Sequence, residues 1–111
     1  MAEQKPGELL QGTLDMLILK TLIRGPMHGY GVAEFIQQTS EEVLKVEEGA
    51  LYPALQKLLL KGWATAEWGI SETNRKVRFY SLTADGRKQL LAQRSDYDRV
   101  TEAIQTILRT A

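Results

Sequence analysis

Apolar residues return at helical intervals in the first part of the chain. Leu10, Leu14, Leu17, Ile18 and Leu22 recur in steps of three and four, which predicts one buried face of a helix of about 15 residues. The stretch RGPMHGYG ends it, because Gly25 stops the helix and Pro26 cannot continue it. A second helix is expected from His28 to Ser40, with Val32, Phe35 and Ile36 as its apolar edge. SEEVLKVEEG is acidic and irregular, with one short strand expected through Leu44 and Val46. GALYPALQKLLLKG then reads as a third helix. Leu51, Leu55 and Leu58 fall at i, i+4 and i+7 and face the core, while Pro53, Gln56 and Lys57 point away. Pro53 is placed in the first turn, where a missing N–H costs nothing, and Gly62 just past the end, where a left-handed cap is expected.

From Trp63 the period changes. Trp63 to Trp68 and Lys76 to Leu82 are rich in aromatic and β-branched residues, and GISETN between them is a turn cluster, so the segment predicts a hairpin. Thr83 reads as an N-cap with Asp85 in the first turn. From there to Arg109 only Gly86 interrupts a helical pattern. Such a helix is about 40 Å long at 1.5 Å per residue, against a radius of gyration near ~13 Å for a domain of this size. Part of it therefore needs a partner. Leu90, Tyr97 and Ile104 lie seven apart, as do Gln93, Val100 and Ile107, which makes a short heptad seam. A symmetric dimer through these residues is the expectation; the alternative is a helix folded back on its own core. The fold class is thus mainly α with a small β-hairpin. Residues 1–82 form a winged helix-turn-helix part and residues 83–111 a C-terminal dimerisation helix.

Composition narrows the function. With no cysteine and one histidine among 111 residues, disulfides, thiolate metal sites and histidine relays have little to rest on. No paired-carboxylate or phosphate-loop signature is present, so neither an enzyme nor a cofactor is expected. No apolar run approaches the roughly 18 residues of a membrane span. MAEQKPGELL lacks the charged start and apolar core of a signal peptide, and the expectation is a soluble cytoplasmic protein. Net charge is zero, from 14 basic and 14 acidic residues. Yet Arg75, Lys76 and Arg78 fall within four positions, with only Glu72 nearby to offset them. Lys57 and Lys61 sit on the third helix, while Glu41, Glu42, Glu47 and Glu48 gather elsewhere. Three helices followed by a hairpin is the order of a winged helix-turn-helix, whose third helix enters the major groove of DNA. Duplex DNA carries one negative charge per roughly 1.7 Å, so a neutral protein can bind it if its cations line one face. The bland alternative is a solvated hairpin whose cations aid solubility.

Four stretches add a resemblance: LQGTLDMLILKTL (10–22), GPMHGYGV (25–32), GALYPALQKLLLKGW (49–63) and SETNRKVRFYSLTADGRKQL (71–90). In this order and at this length the chain resembles the PadR family of bacterial transcriptional regulators, in its shorter branch with a single C-terminal helix. The resemblance implies a dimeric winged-helix protein, usually a repressor on promoter DNA, released in some members by an apolar or phenolic small molecule. Tyr52 and Pro53 match the family's LYP at the start of the recognition helix. Lys57 lies where an arginine is commoner, and Arg75, Lys76 and Arg78 match the basic wing. Tyr97 takes the place of a tryptophan that faces the dimer interface in many members, which marks it as the candidate effector-binding aromatic and weakens the case for the family's aromatic slot. Ala50 replaces a threonine that often precedes LYP, and Leu59 and Leu60 stand where polar residues are usual.

The DNA-binding candidates are therefore His28, Tyr30, Tyr52, Pro53, Gln56, Lys57, Arg75, Lys76 and Arg78. His28 is either a phosphate contact or a local cap, and Tyr30 either reaches DNA or closes the core. Gln56 has the chemistry to pair bidentately with adenine. Trp63 and Trp68 read as core or hairpin packing, and Tyr97 as a seam residue first. A two-fold dimer predicts an inverted-repeat operator with half-sites about one helical turn, or a multiple, apart. The alternative function is a winged-helix protein-interaction module, motivated by the neutral charge and by Leu59 and Leu60.

Overall fold

One side of the first helix supplies the floor of the core. A computed structural model describes residues 13–111, so Leu10 and the expected first turns lie outside the described residues. Helix α1 (Leu14–Leu22) buries Leu14, Ile18, Leu19 and Leu22. Each such side chain contributes roughly 1.5–3 kcal/mol of transfer free energy. Leu17 is only partly buried, and Leu19, which the spacing did not single out, is fully enclosed. The chain turns at Gly25, whose φ of 129° suits glycine. It then forms a two-residue strand, β1 (Met27–His28), and helix α2 (Gly29–Thr39), which buries Val32 and Ile36.

No strand forms through Leu44 and Val46. Their backbone groups are taken by α2 instead: the Val46 amide donates to Gln37 Oε1 at 2.9 Å and the Leu44 amide to Ser40 Oγ at 3.0 Å. Glu41 and Glu42 take left-handed φ of 53° and 68°, which breaks any extended run before it starts. Helix α3 (Glu48–Leu60) begins at Glu47 as N-cap, so Pro53 falls in its second turn and not its first. Its missing N–H leaves the Gly49 carbonyl without the usual i+4 donor. Leu51, Leu55 and Leu58 face the core as their spacing requires. Gly62 has φ 76°, the Trp63 amide donates to the Leu58 carbonyl at 2.9 Å, and the Gly62 amide to the Leu59 carbonyl at 3.1 Å. This pair of bonds around a left-handed glycine is a Schellman cap.

Strands β2 (Ala64–Ile70) and β3 (Lys76–Leu82) form the hairpin, in register from Ala64 opposite Leu82 to Ile70 opposite Lys76. β1 adds a third antiparallel strand on the free edge of β3, with Met27 opposite Tyr80 and His28 opposite Phe79. Two residues carry no alternation, so nothing local marks β1 as a strand. Helix α4 (Ala84–Leu108) starts at Thr83, whose Oγ1 accepts from the Gly86 amide at 3.0 Å. Gly86 has a packing role as well: a Cβ there would drive into the Trp63 carbonyl. The first turns of α4 lie on α1 and seal the core with Leu90.

Candidate nucleic-acid interface

The outward side of α3, the hairpin and the start of α2 carry the candidate contacts. Pro53 and Gln56 are exposed on α3, on the side opposite the buried leucines, and Tyr52 is half-exposed on the flank between. Tyr52 lays its ring against Gly29 at the start of α2, where an added Cβ would sit 3.0 Å from the ring edge. Partial burial, then the nearby Glu48 and Tyr80, push its hydroxyl pKa above the ordinary tyrosine value. Lys57 is exposed but engaged: its Nζ lies 2.7 Å from Asp15 Oδ2 of α1. Contact with a phosphate would have to compete with that ion pair. Leu59 packs against the core, whereas Leu60 is 79% exposed.

His28 does the capping that was one of its two readings. It is the N-cap of α2, and its Nδ1 accepts from the Gly31 amide at 3.1 Å. That bond places the ring proton of the neutral imidazole on Nε2. Its ring also meets the edge of Phe79, with centroids 5.7 Å apart, so β1 and β3 hold it from below. Tyr30 does not close the core; it is exposed, on the first turn of α2.

The hairpin turn is fastened by its own hydroxyls. The Asn74 amide donates to the Ser71 carbonyl at 2.9 Å, the Arg75 amide to Ser71 Oγ at 3.2 Å, and Asn74 takes φ 61°. A β-turn followed by a left-handed residue is a common three-residue hairpin loop. It presents Arg75 beyond the sheet, with Lys76 and Arg78 following on β3. Beside it, a groove between hairpin and α2 is lined by Arg24, His28, Phe35, Arg75 and Phe79, with Glu34 and Glu72 also on its wall. Arg24 stands 4.5 Å over the Phe35 ring. Sequence reasoning missed Arg24, because nothing local links it to the hairpin. A second groove, between α2 and α3, holds Glu34, Glu42, Glu47 and Glu48. Glu42, Glu47 and Glu48 line only this second groove, whereas Glu34 lies between the two.

Comparison with known proteins decides the family. A model described as the transcriptional regulator PadR-like family matches residues 18–92, well over half the chain. The chain belongs to the PadR-like family. Its members are transcriptional regulators and not enzymes, and the helix order with its hairpin is the PadR-like winged helix, a DNA-binding fold. The chain is similar to an uncharacterized protein of Lysinibacillus sphaericus, 25% identical over 97 residues, which are 87% of this chain and 89% of that one. It is also similar to the negative transcriptional regulator PadR of Bacillus subtilis, 27% identical over 77 residues, 69% of this chain but 42% of that protein. Among solved structures, a transcriptional regulator from Clostridium thermocellum superposes with a TM-score of 0.84, at 24% identity, over 92% of this chain and 99% of that one. A PadR-like regulator from Bacillus cereus gives 0.79 at 21% identity, over 94% and 99%. At these identities the structures establish the fold alone.

The PadR-like architecture splits the expected seam on α4. Leu90 is buried within the chain's own core and is not available to a partner, so the free surface begins later than the heptad pattern suggests. Gln93 is half-buried, with Oε1 enclosed and lacking a hydrogen-bond partner. Tyr97, Val100, Ile104 and Ile107 are all at least 46% exposed. Among the described residues no helix is long and apolar enough to cross a membrane.

Proposed function

We propose that the chain is a homodimeric repressor that binds an inverted repeat in promoter DNA, in the cytoplasm, and that a small apolar or phenolic effector releases it. The observation that carries this reading is the gathering of three cations at the free end of the hairpin of a neutral molecule, Arg75 toward the groove beside α2 and Lys76 and Arg78 on the other face, over Trp68. The wing cations meet phosphates and fix the register; Tyr52, Pro53 and Gln56 on α3 face the bases, with Lys57, His28 and Tyr30 at the margins. Residues 1–82 serve as the DNA-binding part and residues 83–111 as the dimerisation helix, with one core shared through Gly86 and Leu90. The exposed stripe of Tyr97, Val100, Ile104 and Ile107 supports a second copy as its cover. The half-exposed Tyr97 ring supports an effector seated between the two copies. The repressing sense draws on the Bacillus subtilis relative, described as a negative regulator.

Fluorescence anisotropy of the chain's own upstream promoter duplex, titrated at several salt concentrations against scrambled DNA, tests this. Binding tighter to the promoter by about a thousandfold and falling steeply with salt is expected. Arg75→Ala with Lys76→Ala should remove two phosphate contacts and flatten the log–log salt slope by roughly 1.8. Failure to bind either DNA would turn the search to a protein partner.

A further inference from the structure

Strand alternation puts Ala64, Ala66, Trp68 and Ile70 of β2 on the same face of the hairpin as Lys76, Arg78, Tyr80 and Leu82 of β3. At its base this face closes the core, with Ala64 3% and Tyr80 5% exposed. Further out the same face runs past the end of the core, leaving Trp68 64% and Ile70 63% exposed. Core packing therefore does not account for the indole. Its ring is occupied by cations instead: Lys76 Nζ lies 5.2 Å from its centroid and Arg78 Cζ 5.8 Å. Arg78 also stands 5.8 Å over Tyr80, the buried residue that roots this face in the core. A row thus leads from the core out along the wing: Tyr80, Arg78, Trp68, Lys76.

We propose that Trp68 is a positioning residue for DNA binding, whose ring holds the Lys76 and Arg78 cations side by side at the exposed outer end of the wing. Two like charges on adjacent positions of one strand face repel each other, and long side chains lose rotamer freedom when they clamp a phosphate. An indole between them offsets both costs, because its electron-rich face attracts each cation and keeps it extended before DNA arrives. The inference rests on the DNA-binding reading above.

The test is a double-mutant cycle. Trp68→Ala is measured by promoter anisotropy in the wild-type background and in a Lys76→Ala/Arg78→Ala background, with thermal unfolding of each variant as the folding control. Trp68→Ala should weaken binding roughly five- to thirtyfold with the cations present, because two long side chains must then be ordered on binding. It should cost less than about twofold without them. The salt slope should stay close to that of the wild type in Trp68→Ala, because both cations still reach their phosphates, and should fall only where Lys76 and Arg78 are removed; Trp68→Phe should keep most of the affinity. An equal loss in both backgrounds would mean that the indole touches DNA itself, and no loss in either would mean that it does nothing for binding; both overturn the proposal. In the free protein, NMR should find the Lys76 and Arg78 side-chain protons shifted upfield by the ring, a shift that Trp68→Ala abolishes; its absence also overturns the proposal. Binding lost in the double variant but untouched by Trp68→Ala sinks only this inference, whereas a wild type that binds no DNA sinks the reading beneath it.

Discussion

Thr83 joins the wing to the long helix, and its replacement makes a quantitative test of that joint. The side chain works in two directions. Its Oγ1 accepts from the Gly86 amide at 3.0 Å, the N-cap bond of α4, and donates to the Gly62 carbonyl at 2.7 Å, back at the end of α3. The Thr83 amide adds a third link, to the Trp63 carbonyl at 3.1 Å. Thr83→Ala removes the first two and keeps the third. Loss of the cap costs about 1 kcal/mol. The Gly62 bond is solvent-exposed, so water takes over part of its role and its loss adds about 0.5 kcal/mol. A total near ~1.5 kcal/mol corresponds to a fall in Tm of roughly 5–8 °C for a chain of this size. Calorimetry on wild type, Thr83→Ala and Thr83→Ser at equal protein concentration would measure it, since an associating chain has a concentration-dependent Tm. Serine retains the hydroxyl and should recover most of the loss. If Thr83→Ser is as damaging as Thr83→Ala, the methyl group and not the two hydrogen bonds holds the joint, and the reasoning fails.

Gly86→Ala should be worse than any surface change on α4, by about 1–3 kcal/mol or more, because the new methyl meets the Trp63 carbonyl, which cannot move without breaking the bond to Thr83; equilibrium denaturation reads it directly. Ile104→Asp should shift the chain toward monomer in sedimentation while leaving the monomer's own core intact, since Ile104 is exposed there; an unchanged dimer would remove α4 from the interface. Tyr52 titrates above the ordinary tyrosine value of 10.0 because burial and Glu48 oppose its ionisation. Its folded pKa is raised, so its contribution to stability is complete below about pH 10 and lost as pH climbs through the folded value; Tyr52→Phe should flatten the alkaline limb of a stability–pH curve and remove a component of tyrosinate absorbance that titrates above 10.0.

Much of the architecture can be read from local chemistry. The period-3.6 leucines of α3, the cap residues Thr83 and Gly62, and the aromatic β2–β3 pair each announce their element within a few positions, because caps and amphipathic faces are short-range effects. The start of α3 was misjudged by local rules, since Pro53 is tolerated a turn deeper than its preference suggests. β1 was invisible for a different reason: two residues become a strand only because β3 offers them a free edge.

The candidate site divides the same way. Sequence alone identified the wing cations, because three basic residues within four positions on a strand need no partner to be noticed. Only the tertiary structure decided what engages them. It folded Leu90 into the chain's own core while leaving Tyr97 outside, and tied Lys57 to Asp15 across two helices. It also carried the hairpin past the end of the core, so that Trp68, which composition reads as packing, stands exposed between Lys76 and Arg78. Exposure depends on where the rest of the molecule ends, and a heptad or a strand pattern holds no information about that distance.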